Sequence, residues 1–132
     1  MTRINAHFHS LISTVRQLRS DQGCPWDRKQ TTASLKKHLV EEFDEIIAAI
    51  DHDDPENLCE ELGDFLYLIV MIGEINRENG SFTIEEVIET VNRKLIRRHP
   101  HVFSSKKDLD EKELRRQWNA IKKKEKDLKN IS

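Results

Sequence analysis

Leu39-Val40-Glu41-Glu42-Phe43-Asp44-Glu45-Ile46-Ile47-Ala48-Ala49-Ile50 and, beyond Asp54-Pro55, Leu58-Cys59-Glu60-Glu61-Leu62-Gly63-Asp64-Phe65 decide how this chain of 132 residues is read. In both segments apolar residues recur at helical spacing, and each carries two acids three residues apart: Glu42 with Glu45, and Glu61 with Asp64. Positions three apart share a helical face. Glu42 falls just outside the apolar arc from Leu35 to Ile47, Glu45 lies one turn further on the same flank, and Asp44 points to solvent. Glu61 and Asp64 border the stripe of Leu58, Leu62 and Phe65. Packed antiparallel through those stripes, the two helices bring four carboxylates together. From Glu41 to Asp64 there are eleven Asp or Glu and no Lys or Arg. Crowded carboxylates repel strongly at low dielectric and stay ionised only around a cation. Oxygen-only ligands select a hard ion, Mg²⁺ or Mn²⁺. No Glu-x-x-His accompanies them, which argues against a di-iron bundle. The competing reading is a solvated acidic face, which is what a single such pair usually is.

Working outward, the pattern predicts five helices and no strand. The first runs from about Asn5 to Arg19, with Phe8, Leu11, Ile12, Val15 and Leu18 on one stripe, and breaks at Gly23-Cys24-Pro25. The second is capped by Thr31 or Thr32 and reaches Asp51, with Leu35, Leu39, Phe43, Ile46, Ile47 and Ile50 inward. The third opens at Asp54-Pro55 and stops at Asn79-Gly80. Its run Phe65 to Ile72 is apolar all round, which predicts a central helix or a contact with a second subunit. The fourth follows the capping box Thr83-Ile84-Glu85-Glu86, turns Ile84, Val87, Ile88, Val91 and Leu95 inward, and ends at Pro100. The fifth begins at Asp110, shows Leu114, Trp118 and Ile121, and dissolves at Lys122-Lys123-Lys124-Glu125-Lys126. The reading is one all-α domain over residues 1–132, an antiparallel bundle with its core at about residues 5–128. A disordered tail is expected at residues 129–132, and a homodimer or dimer of dimers as the assembly.

Charged residues make up 35% of the chain and Gly and Pro only four and three, a helix-rich balance. The net charge of −2 gives no general attraction to nucleic acid or anionic membrane. Cys24 and Cys59 form neither a C-x-x-C site nor a disulfide framework, so reduced thiols in a cytoplasmic protein are expected. The segment Met1 to His7 has no signal-peptide core, and Phe65 to Ile72 is too short to span a bilayer.

The order Gly23-Cys24-Pro25-Trp26-Asp27, Gln30-Thr31, Glu41-Glu42-x-x-Glu45, Glu60-Glu61-Leu62-Gly63-Asp64 and Arg97-Arg98-His99-Pro100-His101-Val102-Phe103 resembles the MazG nucleotide pyrophosphohydrolases, from about Leu11 to Lys126. The resemblance implies an all-α, MazG-like fold and Mg²⁺-dependent hydrolysis of nucleoside triphosphates to NMP and pyrophosphate, in nucleotide-pool house-cleaning. It implies Glu42, Glu45, Glu61 and Asp64 as metal ligands, with Glu41 binding a further ion or orienting water. Lys94, Arg98 and Lys122 beside Trp118 match its nucleotide contacts, and Asn92 a further one.

Lys94 and Arg98, four apart on the fourth helix, can reach one phosphate chain; equally they can be surface charge at a helix C-terminus. Trp26 can stack on a base or plug its loop. His38 falls between Glu42 and Glu45 in helical angle and can face the pocket or solvent, whereas His99 and His101 are read as structural or as supports behind the ligating residues, because imidazole is a poor Mg²⁺ ligand. Two departures stand out. Many relatives carry two such domains in tandem, and where the family often has Gln, four residues after Asp64, this chain has Leu68. The other readings are a narrow-substrate pyrophosphohydrolase acting on dUTP, dCTP or phosphoribosyl-ATP, a non-catalytic interaction module, and a nucleic-acid binder, which the acidic centre opposes.

Overall fold

The computed structural model describes residues 2–131, the last as backbone only, and Met1 and Ser132 lie outside them. Helices account for all its regular structure: α1 Arg3–Leu18, α2 Pro25–Lys29, a 3₁₀ turn Ala33–Leu35, α3 Lys36–Asp51, α4 Pro55–Glu78, α5 Ile84–Arg98, α6 Pro100–Phe103 and α7 Glu111–Ile131. The all-α expectation holds. The five long helices are those the periodicity predicts, and the proline-led segments at Pro25 and Pro100 add two short ones. The charged segment after Ile121 does not dissolve: α7 runs on through Lys129 and Asn130. Lys, Glu and Arg are good helix formers, and 3.6-residue spacing keeps their charges in water. No helix among the described residues is long and apolar enough to cross a membrane, and both cysteines are free.

The helix starts follow local chemistry. Asp54 accepts from the Asn57 amide at 3.1 Å ahead of Pro55, and Asp110 accepts from the Glu113 amide at 2.8 Å. Thr31 and Ser34 exchange hydrogen bonds, each side-chain oxygen taking the other's amide at 3.0 and 2.9 Å, and so start the 3₁₀ turn that leads into α3. Gly80, with φ +76, ends α4 in the left-handed conformation that glycine adopts without strain. Gly23 is required for a different reason: a Cβ there would lie 2.2 Å from the Leu18 carbonyl oxygen at the end of α1.

The chain divides into two compact units, residues 1–84 and 85–132. In the first, α3 and α4 form a hairpin through the short turn at His52–Asp54, and α1 packs on α4. Val15, Leu35, Leu68, Val70, Met71 and Ile75 are its buried centre, flanked by Leu11, Ile12, Leu39, Tyr67 and Ile72. Leu68, at the position where the family often has Gln, is therefore core. Of the apolar run on α4, Leu68, Val70 and Met71 are buried in the unit's core, whereas Leu66 is exposed.

Apolar surface remains uncovered on both helices of the hairpin. Val40, Phe43, Ile47 and Ile50 on α3 and Leu62 and Leu66 on α4 are all exposed, Phe43 at 56%. The predicted inward positions Phe43, Ile47 and Ile50 are thus corrected: the wide apolar arc of α3 splits into two rows. Leu35, Leu39, Ile46 and Ala49 face the unit's interior, and Val40, Phe43, Ile47 and Ile50 face out. In the second unit Val87, Ile88, Val91 and Leu95, expected inward on α5, are likewise exposed. A helix with apolar residues on two sides needs more partners than this chain supplies among its described residues.

Candidate metal centre and nucleotide contacts

Splitting α3 into two rows explains where its acids go. Leu35, Leu39, Glu42, Ile46 and Ala49 are spaced four, three, four and three apart, so Glu42 belongs to the inward row rather than to its border. On α4, Glu61 stands in the same relation to Phe65, Leu68, Ile72 and Ile75. The hairpin thus sets a carboxylate from each helix into the seam between them, and Asp64, one turn on, joins from the flank. Oxygens of Glu42, Glu61 and Asp64 all lie within 4.8 Å of one another. Glu42 Oε2 is buried with no hydrogen-bond partner. Burial, then the Glu61 carboxyl beside it and the charges of Asp64 and Glu45, push Glu42 up to about 7. A buried oxygen without a donor, among acids alone, is the environment a hard cation satisfies.

Glu45, the fourth expected ligand, is not one of the three whose oxygens meet; it is exposed one turn further along α3. Glu41 is exposed and faces His38, whose Nδ1 lies 3.5 Å from its Oε2. His38 is half-buried and takes the edge of the Trp26 ring at 5.2 Å. Trp26 keeps 37% of its surface exposed, so it does not plug the core. What holds its loop is Asp27, whose role no periodicity in the sequence marks. Asp27 is buried, and the Tyr67 hydroxyl donates to its Oδ1. Arg19 Nη1 donates to the Asp27 carbonyl at 2.6 Å and to the Gln30 carbonyl at 3.2 Å, while Arg19 pairs with Glu78 at 2.9 Å. Burial and the Asp27 carboxylate push the Tyr67 hydroxyl up. The loop ahead of α3 is therefore pinned to α1 and α4, with Trp26 set beside His38.

Of the expected nucleotide contacts in the second unit, Asn92 and Lys122 are exposed, and Lys94 and Trp118 are half-buried. Arg98 is engaged already: its Nη2 donates to Glu125 Oε1 at 2.8 Å and its guanidinium lies 4.9 Å from the Trp118 ring centre. His99 meets the edge of the same ring at 5.6 Å, and its Nδ1 lies 2.6 Å from the Leu95 carbonyl oxygen. His101 Nδ1 lies 3.0 Å from Gln117 Nε2. Both histidines thus have partners within the second unit. Glu125 was missed, although its seven-residue spacing from Trp118 puts both on one face of α7.

The fold and the site define the class: an all-helical domain whose α3–α4 seam carries opposed carboxylates. Within it, the chain belongs to the MazG nucleotide pyrophosphohydrolase domain family, whose model matches residues 30–103. It is 50% identical over 125 residues to the nucleoside triphosphate pyrophosphohydrolase/pyrophosphatase MazG of Thermotoga maritima, a match covering 95% of this chain and 48% of that protein. To the nucleoside triphosphate pyrophosphohydrolase of Escherichia coli K12 it is 35% identical over 113 residues, 85% of this chain and 43% of that one. The chain thus spans about half the length, or less, of these curated relatives. Among solved structures, a mazG-related protein from Thermotoga maritima is similar at a TM-score of 0.73 and 28% identity, over 87% of this chain and 98% of that one.

Proposed function

We propose that this chain hydrolyses nucleoside triphosphates to NMP and pyrophosphate in a Mg²⁺-dependent reaction, with Mn²⁺ as a substitute, as part of nucleotide-pool house-cleaning. The observation that carries the reading is the meeting of Glu42, Glu61 and Asp64 oxygens within 4.8 Å, with Glu42 Oε2 buried and unpartnered. Those three residues would hold the ion, with the exposed Glu45 turning in as a fourth ligand and Glu41 orienting water. The ion would supply charge neutralisation at the phosphates and acidify an attacking water. Lys94, which forms no ion pair among the described residues, would neutralise phosphate oxygens, as would Arg98 and Lys122. Trp118, Asn92 and His38 would contact the nucleotide, and Trp26 would stack on the base.

The water attacks the α-phosphorus, so pyrophosphate leaves with the charge and the β- and γ-phosphates belong with the cations. Hydrolysis in oxygen-18 water tests this: label is expected in NMP. Label in pyrophosphate, or release of orthophosphate, overturns it. The relatives' names favour a nucleoside triphosphate over the narrower dUTP, dCTP or phosphoribosyl-ATP, and a substrate panel decides among them. The uncovered row Val40, Phe43, Ile47, Leu62 and Leu66 supports assembly as a homodimer or dimer of dimers through α3 and α4.

A further inference from the structure

Glu125 stands outside every role assigned above. It lies on α7 three residues beyond Lys122 and seven beyond Trp118, so the three share one helical face. Both of its oxygens are committed. Oε1 accepts from Arg98 Nη2 at 2.8 Å and Oε2 from Arg97 Nε at 2.5 Å. These two arginines, Arg98 before Arg97, hold the Glu125 carboxyl down at about 2, so it is ionised wherever a phosphohydrolase would work.

Arg98 is thereby gripped from two directions, by the carboxylate at Nη2 and by the Trp118 ring under its plane. Its Nε is buried and unpartnered. Glu125 takes one donor of Arg98 and spends its other oxygen on Arg97, so it does not occupy Arg98 with a two-pronged pair. Nη1 keeps no partner among the described residues. Two guanidinium groups against one carboxylate leave the cluster cationic. A long side chain that arrives already ordered loses less freedom when it takes up an anion.

We propose that Glu125 is a positioning residue, which presets the Arg98 guanidinium on Trp118 so that Nη1 is offered to the phosphate chain of the substrate. The proposal rests on the reading of Arg98 as a nucleotide contact. A carboxylate beside a phosphate-binding arginine has an opposite alternative role, a counter-ion that the substrate must displace, and the two differ in sign.

The experiment compares Glu125→Ala, Glu125→Gln, Arg98→Ala and the double variant Arg98→Ala/Glu125→Ala. It measures pyrophosphate-release kinetics and calorimetric binding of a non-hydrolysable triphosphate analogue, with helical content checked for each. Expected for Glu125→Ala is a KM, and a Kd for the analogue, raised about tenfold with kcat little changed. Glu125→Gln, which keeps an acceptor oxygen, is expected between Glu125→Ala and the parent. The double variant is expected to be no worse than Arg98→Ala alone, because Glu125 acts only through Arg98. A lowered KM in Glu125→Ala would show a displaced counter-ion and overturn the proposal. An unchanged KM, or losses that add in the double variant, would overturn it as well. Should Arg98→Ala leave both KM and Kd untouched, the reading of Arg98 as a substrate contact fails first. The Kd series distinguishes that from a failure of the catalytic reading.

Discussion

Replacing Glu42 by Gln removes one charge from the α3–α4 seam and keeps the side chain's shape. Two effects of opposite sign are expected. Turnover is lost, because an amide is a poor ligand for a hard cation. Stability without metal rises, because Glu42 is held at about 7 by burial and by its acidic neighbours. An acid whose folded pKa is raised favours the native state below its unfolded value and loses that contribution as pH climbs through the folded value. Metal-free parent protein therefore loses stability between about pH 4.5 and 7, and the Gln variant lacks that slope. Displacement from 4.5 to about 7 sets a ceiling of roughly 3 kcal/mol. Solvent screening at a half-buried side chain, and the sharing of repulsion with Glu61 and Asp64, reduce the expected gain to about 1–2 kcal/mol. In thermal melts with EDTA near pH 8 the variant is expected to melt roughly 3–8 °C above the parent, and near pH 4 the two should coincide. Added Mg²⁺ should raise the parent's midpoint and leave the variant's where it is. A variant that melts at or below the parent in EDTA near pH 8 would refute the idea of a strained acid cluster.

Further outcomes follow from the same contacts. Phe43→Glu puts a charge on the uncovered row of α3 and should shift light scattering to the monomer mass while helical content is kept; a parent that is already monomeric refutes the assembly. Leu68→Glu should instead collapse the fold, because Leu68 is in the core. Tyr67→Phe strips the donor from buried Asp27 and should cost about 1–3 kcal/mol in chemical denaturation; a change near zero would mean the loop is held by Arg19 alone. Lys94→Ala and Arg98→Ala should weaken triphosphate binding far more than NMP binding in calorimetry, and equal losses would place both side chains away from the β- and γ-phosphates.

The helices and the acid cluster were legible because their code is periodic. Caps at Asp54 and Asp110, the stop at Gly80, and the pairing of Glu42 with Glu61 and Asp64 all follow from spacings of three and four. Helical angle alone did not separate the two apolar rows of α3, since both fall within one broad arc. Only the packing shows that Leu39, Glu42 and Ile46 are partly covered while Phe43 and Ile47 are exposed. For the same reason the run Phe65 to Ile72 did not show which of its residues are core: Leu68, Val70 and Met71 are covered with Val15 and Leu35 from elsewhere in the chain, and Leu66 is not. Asp27 and Glu125 were illegible in a stronger sense: their partners Tyr67, Arg97 and Arg98 lie 27 to 40 residues away in sequence. Hydrogen bonds between side chains at that range leave no periodic trace.

The central claim is that the Glu42, Glu61 and Asp64 cluster makes this chain a metal-dependent pyrophosphohydrolase. The most direct measurement is pyrophosphate release from nucleoside triphosphates, for the parent chain and for Asp64→Asn, each with Mg²⁺ and with EDTA. NMP and pyrophosphate in equal amounts from the parent with Mg²⁺, and none in the other three arms, is the result expected. Pyrophosphate release that persists in EDTA, or that survives Asp64→Asn, would contradict it.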